Sequence, residues 1–456
     1  MARQKIDAGR VTGANRAPHC LCCDELIAGL PLTMALPTVS RQQNSRDRSL
    51  VLHIRSRLIL RTRLKRLVRW LGWRLRHFWI GRRSGVLLIG YAEANLGLGQ
   101  AFRYTVRAIE LSGLPFGIYP IGKGVETRRI GSFKPDRYDQ SHVYDLNIIQ
   151  IAPTQVPTLF EIIDSRVTRR SYNVLSTFWE LPKAPEIWRP MLAGIQEIWS
   201  PNDFVANAFR DIFSGPIFVM PHAVDVGEGP YPTRDTLAME RDKFYFIFTF
   251  DYFSSPHRKN PLGVIAAFQA AFPDGDENVG LIIKSIGEPD QYPEVRNKIR
   301  NAAAEDRRIL NIDQALSRNE VLGLIHESNA YVSLHRAEGL GLGMAEAMSF
   351  GRIVIGTNFS GNTDFLTEQT GFPIPFTLRP VAPHEYPWSE GQNWAEPDLK
   401  AAAAAMKLVF QAPEAVRDRA ATGQRLIRQN FAPIVVGQVF KDRFQQLMRL
   451  RHIGYK

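Results

Sequence analysis

Short apolar runs alternate with helical stretches from Gly85 onward, and the alternation starts twice. Val86-Leu-Leu-Ile-Gly90 has no polar face, as suits a strand buried on both sides of a parallel sheet, and a Gly-punctuated loop leads from it into a helix from about Gln100. Further strands are expected over Phe116 to Ile121, Leu146 to Ile151, Asn173 to Phe178, Glu197 to Trp199 and Ile217 to Met220, with helices at Pro185 to Ile195 and Asp203 to Ile212. A Pro-, Gly- and charge-rich segment, Glu228 to Asp242, interrupts the series. The second series has strands at Phe244 to Phe250, Val279 to Ser285, Ala330 to Leu334 and Arg352 to Gly356. Its helices are Pro261 to Phe272, one opened by the capping box Ser317-Arg-Asn-Glu320, and one from about Leu342. From Pro397 the pattern is helical to the end. The chain of 456 residues exceeds what one core usually holds, about 250 to 300 residues, so the reading is α/β with two Rossmann-like lobes. The expected units are an extension over 1–83, lobes over 84–238 and 239–430, and a C-terminal helix over 431–456.

The formal charge of +12 is concentrated: Arg48 to Arg83 holds twelve Lys and Arg and no acid, and the rest of the chain balances. Nucleic-acid enzymes spread basic residues over their folded lobes, so nucleic acid is not the expected partner. Leu60, Leu64, Leu67, Leu71, Leu75 and Phe78 form one stripe, with Arg63, Arg66, Arg69 and Arg74 off it and Trp70, Trp73 and Trp79 among them. Residues 48–83 therefore read as a basic amphipathic helix that lies on an anionic membrane surface or, alternatively, packs on protein. No apolar run is long enough to span a bilayer. All three cysteines, Cys20, Cys22 and Cys23, lie in the extension, so no disulfides tie the lobes and a cytoplasmic, peripheral location on the inner membrane face is expected. Met34 is an alternative start.

The stretch His335-Arg-Ala-Glu338-Gly-Leu-Gly-Leu-Gly-Met-Ala-Glu346 follows a strand and opens a helix. Gly339, Gly341 and Gly343 leave backbone amides bare at a helix N-terminus, where the dipole favours a phosphate. Two carboxylates beside a phosphate site make sense for a sugar nucleotide, Glu338 taking sugar hydroxyls and Glu346 the ribose diol. Spacing alone leaves the alternative that both merely complement the helix terminus.

Glu-Gly-x-Gly-x-Gly-x-x-Glu-Ala-Met resembles the large family of retaining glycosyltransferases with two Glu separated by seven residues, the glycosyl transferases group 1. Gly351-Arg-Ile-Val-Ile-Gly356 and Ser360-Gly-Asn-Thr-Asp-Phe-Leu366 continue the resemblance. It extends back through Arg258-Lys259-Asn260-Pro261, Pro221-His-Ala-Val-Asp225 and Ser200, and covers roughly residues 85 to 440. The resemblance implies a GT-B architecture of two Rossmann-like lobes facing a cleft. It implies Lys259 on the donor diphosphate, Glu338 with Lys259 among the catalytic residues, and donor contacts from Glu346 and the loop Gly339, Leu340, Gly341 and Leu342. The family's usual Arg five residues upstream of Lys259 is replaced by Ser254, so Arg258 or Lys284 is expected to share its duty. Asn95-Leu-Gly97-Leu-Gly99 resembles the family's glycine loop on the opposite lobe. Ile149-Gln-Ile-Ala-Pro153 lacks the family's His, and Phe178-Trp179-Glu180, at the next strand end, offers a ring and a carboxylate instead, with Glu180 placed among the catalytic residues. Asp274-Gly-Asp276 sits in a charged turn rather than at a strand end, so no metal is expected, and His222 and His335 read as loop-end polar residues.

The expected activity is metal-independent, retaining hexosyl transfer from a nucleoside-diphosphate sugar to a lipid-linked or polysaccharide acceptor, with no separate cofactor. Two rivals remain at this stage. A membrane-tethered nucleotide-sugar-binding scaffold would bind donor without turnover, and a sugar-nucleotide epimerase of similar shape would need an acid and base pair; product analysis separates all three.

Overall fold

The computed structural model of the chain describes residues 81–122, 131–287 and 289–452. The cysteines, Met34 and all but the last three residues of the expected basic helix lie outside the described residues. Those three, Gly81 to Arg83, are strand rather than helix, because they pair in register with His142 to Tyr144 across a bulge that ends at Val86.

The first lobe runs β1 (Gly81–Gly90), α1 (Gly97–Ser112), β2 (Phe116–Pro120), β3 (His142–Gln150), α2 (Val156–Ile162), α3 (Ser165–Arg170), β4 (Tyr172–Ser176), β5 (Glu197–Ser200), α4 (Asp203–Phe209) and β6 (Ile217–Val219). The sheet order is β2-β1-β3-β4-β5-β6, and every pairing is parallel. Val86 to Ile89 and Leu146, Ile148 and Ile149 are wholly buried, as the unbroken apolar runs require when helices cover both faces. The stretch expected as a helix over Pro185 to Ile195 is instead a 3-10 helix, Glu186–Leu192, because Pro190 inside it has no N–H to continue an α-helical ladder.

The second lobe runs β7 (Phe244–Asp251), α5 (Pro256–Lys259), α6 (Pro261–Ala271), β8 (Val279–Ile286), α7 (Pro293–Glu305), β9 (Ile309–Asp313), α8 (Arg318–Glu327), β10 (Ala330–Ser333), α9 (Leu342–Ser349), β11 (Ile353–Thr357) and β12 (Phe372–Ile374). Its strands, again all parallel, are ordered β12-β11-β10-β7-β8-β9. The direction of winding reverses between β7 and β10, and in the first sheet between β1 and β3. In open α/β sheets ligands bind at such reversals, outside the carboxyl ends of the strands.

An antiparallel hairpin of β13 (Phe376–Pro380) and β14 (Asn393–Pro397) follows, then α10 (Leu399–Gln411), α11 (Arg417–Asn430) and α12 (Pro433–His452). Two of these segments tie the lobes together. The hairpin's Val381 and Trp394 are buried in a core shared with first-lobe residues such as Trp179 and Leu181. Helix α12 returns to the first lobe, where Phe440 stacks on Trp199 at 5.3 Å and Arg443 pairs with the wholly buried Glu197 at 2.6 Å. Gly437 makes the close approach to α1 feasible, since a Cβ there would stand 2.2 Å from the Ala108 carbonyl oxygen. The fold is a GT-B architecture, two Rossmann-like lobes facing each other.

Candidate functional site

The loop after β7 carries Arg258 and Lys259 on the single turn of α5, and the loop after β10 carries His335 to Gly341. Asn260 locks the two together. Its backbone is left-handed at φ 55°, its side-chain oxygen caps the Gly263 amide at 3.2 Å, and its amide donates to the Leu334 carbonyl at 2.8 Å. The cations are thereby fixed beside Glu338. Lys259 Nζ donates to Glu338 Oε1, and Arg258 Nη1 lies 3.3 Å from Glu338 Oε2 while donating to the Ala337 carbonyl at 2.7 Å. Glu338 and Arg258 are both buried. Burial by itself pushes the Glu338 carboxyl up, but Lys259, Arg258 and His335 outweigh it and hold the group down at about 2. Burial lowers Lys259 despite Glu338, whereas Glu180 and Glu338 overcome burial and raise Arg258.

Glu180 reaches this cluster from the first lobe. Its Oε1 is 3.6 Å from Arg258 Nη2, and its Oε2 accepts from the Tyr386 hydroxyl at 2.8 Å. The hairpin thus fastens the acid that closes a chain of alternating charge, Glu180, Arg258, Glu338 and Lys259. Ser255 also bonds the hairpin, its hydroxyl donating to the Glu385 carbonyl at 2.8 Å.

Helix α9 begins at Gly341, which is left-handed at φ 87° as few other residues tolerate, and no side chain caps its N-terminus. Leu340 is buried and Leu342 packs between the cores of the two lobes. Gly339 presents its carbonyl to Asn202 Nδ2 of the first lobe at 2.7 Å, and a Cβ on Gly361 would stand 2.2 Å from that same carbonyl oxygen. Across the cleft Gly97 opens α1 with free space where a Cβ would be, and no side chain caps that helix either. At Gly99 a Cβ would collide with the Ala94 carbonyl oxygen at 2.3 Å, so glycine is needed for the turn itself. Two uncapped helix N-termini with glycine-bared amides suit a diphosphate.

Glu346, a turn into α9, is buried and accepts from the Tyr104 hydroxyl at 3.0 Å and from Arg318. A cavity of about 760 Å³ lies alongside, lined among others by Gln100, Arg103, Tyr104, Asp225, Leu316 and Arg318. That volume falls in the usual range for small-molecule sites.

Glu338, Lys259, Arg258, Glu180 and the Gly339 to Leu342 loop are brought together, and Glu346 faces a second group beside the cavity. Lys284 does not join them. It is buried, and its ammonium goes to the carbonyls of Ser285 and Gln314, the latter at 2.8 Å, with burial lowering it to about 8. The carbonyls at the ends of β8 and β9 satisfy this cation, so Arg258 alone takes the place beside Lys259. His222 and His335 are buried, and burial lowers both, His222 to about 4. Asp274 and Asp276 lie in the exposed turn before β8, where Gly275 is left-handed at φ 83°.

Tyr104, Arg318, Tyr386 and Gln150 were not legible as site residues. Gln150 ends β3 at the first lobe's winding reversal, wholly buried, with neither amide atom hydrogen-bonded. The missing His after β3 was the available signal, since a buried amide without partners marks the same strand end.

Residues 250–379 match the family model described as Glycosyl transferases group 1. A search of curated proteins finds no match to the chain. Among solved structures, sucrose-phosphate synthase from Thermosynechococcus elongatus is similar at 16% identity, over 81% of this chain and 100% of that one, with a TM-score of 0.59. Anabaena HepE, in complex with UDP and glucose, is similar at 13% identity, over 79% of this chain and 100% of that one, with a TM-score of 0.54. The pneumococcal O-GlcNAc transferase GtfA matches at 17% identity over 66% of this chain with a TM-score of 0.47, and the chain spans only 57% of its length. The chain is therefore a GT-B protein whose second lobe matches the glycosyl transferases group 1 over residues 250–379.

Proposed function

We propose that the protein is a retaining glycosyltransferase that moves a sugar from a nucleoside diphosphate to a lipid-linked or polysaccharide acceptor, without a metal. The observation that carries this reading is the Lys259–Glu338–Arg258 cluster, its Arg258 and Glu338 buried, at the β7/β10 winding reversal next to the uncapped start of α9. Breaking the anomeric C–O bond leaves negative charge on the diphosphate. Lys259 and the amides of α9 and α1 stabilise it, and electrostatics and positioning carry most of the barrier reduction. Glu338 takes donor-sugar hydroxyls, Glu346 takes the ribose diol, and Gln150 supplies its unpaired amide to the sugar from the first lobe. Glu180 stands on the acceptor side. With the acceptor hydroxyl on the face of the departing phosphate, that phosphate takes its proton and the configuration is retained.

HepE, the fold relative solved with UDP and glucose, makes UDP the first nucleotide to try. The experiment is thermal stabilisation by nucleoside diphosphates and sugar nucleotides, with Mg²⁺ and with EDTA. Ligand at about a hundred times its Kd adds about 2.7 kcal/mol if it binds only the folded state. A shift for one base, equal in EDTA and lost in Glu346→Ala, is the expected result; no shift with any nucleotide removes the donor site.

The basic segment 48–83 places the enzyme on an anionic membrane at the cytoplasmic face, where such acceptors are presented. Co-sedimentation with phosphatidylserine-containing liposomes tests this: the full chain pellets and a chain lacking residues 1–80, which keeps β1 whole, stays in solution, whereas equal pelleting rules it out.

A further inference from the structure

Glu346 belongs to the second lobe, yet a first-lobe side chain holds its carboxylate. Tyr104, on α1, donates its hydroxyl to Glu346 Oε1 at 3.0 Å, and the same hydroxyl accepts from Arg318 Nη2 at 2.6 Å. Arg318, at the start of α8, also donates to Glu346 Oε1 and lies with its guanidinium 5.9 Å from the centre of the Tyr104 ring. Both bonds to the carboxylate fall on Oε1, which fixes the plane of the group and leaves Oε2 to accept from a ligand. Tyr104 and Glu346 are each less than 5% exposed.

Adhesion between lobes does not need such a group. Apolar side chains of similar volume hold two surfaces together at no desolvation cost, whereas a buried phenol and carboxylate beside a part-exposed guanidinium gain little beyond the cost of burying them. The three meet at the wall of the interlobe cavity, which Tyr104 and Arg318 both line. Burial and the neighbouring carboxylate raise the Tyr104 hydroxyl, so it stays a proton donor throughout the working pH range.

We infer that Tyr104 is a positioning residue for donor recognition: with Arg318 it orients Glu346 so that the free carboxylate oxygen reads a ribose hydroxyl. The inference rests on the reading of Glu346 as the ribose acceptor given above. It adds that the first lobe takes part in choosing the nucleotide, so that ribose is read only when both lobes are in place. A 2′-deoxyribonucleotide lacks one hydroxyl of that diol, so the pair of ribose and deoxy forms reads the contact.

Titration calorimetry on the full chain tests this with UDP and 2′-deoxy-UDP, and with the other ribonucleoside diphosphates paired with their 2′-deoxy forms. The wild type prefers the ribose form about tenfold or more, as expected when a buried carboxylate loses its partner hydroxyl. Tyr104→Phe keeps the ring and removes the donor. It weakens the ribose form about tenfold and the deoxy form less than threefold, so the preference collapses. Arg318→Lys keeps the charge, loses the bond to the phenol and moves the preference the same way, which guards against misfolding of either single variant. A merely structural role weakens both forms equally. A ribose preference that survives both substitutions, or a wild type that binds both forms equally, overturns the inference and leaves the donor reading intact. Binding of no nucleoside diphosphate at all overturns both.

Discussion

Replacing Lys259 with Met keeps most of the reach of the side chain and removes its charge. Glu338 is held at about 2 against an ordinary 4.5, a difference worth about 3 kcal/mol of stability at neutral pH when the carboxylate is ionised in both states. Lys259 and Arg258 are the chief causes, and Arg258 remains 3.3 Å from the other carboxylate oxygen after the substitution. Burial raises the Glu338 carboxyl and also lowers Lys259, so the substitution removes a share of the attraction together with the lysine's own desolvation cost, and the variant is expected to be less stable at pH 7. Because the folded-state value is depressed, this contribution is fully present above about 4.5 and fades as pH falls toward about 2. The gap between wild type and variant in urea unfolding is expected at pH 7 and narrows below pH 4.5. Turnover suffers more. If Lys259 meets the departing diphosphate, its loss removes charge stabilisation made chiefly in the transition state, and kcat/KM falls about a hundredfold or more, equivalent to about 2.7 kcal/mol. The assay is initial-rate transfer with purified protein at saturating acceptor. A variant that is less stable as expected yet turns over at the wild-type rate refutes the assignment of Lys259 to the leaving group, while leaving its pairing with Glu338 intact.

Two further outcomes follow from the packing. Gly361→Ala drives a Cβ to 2.2 Å from the Gly339 carbonyl oxygen, which no side-chain rotation relieves, so unfolding free energy drops by about 1 to 3 kcal/mol and kcat/KM falls with it; an unchanged urea midpoint contradicts the close approach. His222 titrates near 4 in the fold because it is buried, against an ordinary 6.5, so the unfolded chain takes up a proton that the fold refuses and stability drops as pH falls from about 6.5 to 4. The size is about 3 kcal/mol, and in His222→Gln that part of the pH dependence of unfolding disappears; an identical slope in wild type and variant excludes His222 as its source.

The sheets were legible because buried parallel strands are apolar on both faces, and runs such as Val86 to Ile89 and Phe244 to Phe250 have no other stable placement. The loop after β10 stood out as a glycine-opened helix start after such a strand, but spacing left its use open and only the family resemblance supplied one. The hairpin β13–β14 was not, since its strands mix polar and aromatic residues and its burial comes from the other lobe. Tyr104 was invisible for a related reason: its partner Glu346 is 242 residues away, and a tyrosine among the apolar positions of α1 reads as core. Lys284 shows the converse. Position at a strand end made it a phosphate ligand in the sequence, but two carbonyls already take two of its three donors and hold it away from the cleft cluster.

Sugar transfer with retention from a nucleoside-diphosphate donor, as proposed, leaves a signature at the anomeric carbon of the product. Proton NMR of the purified enzyme's reaction, run with sugar nucleotides in EDTA and a membrane extract as acceptor source, reads the anomeric configuration of the first-formed product directly. An α-configured product from an α-linked donor is expected, formed as fast in EDTA as in Mg²⁺ and absent with Glu346→Ala. A β-configured product contradicts retention, and a donor left unconsumed under every condition contradicts transfer altogether.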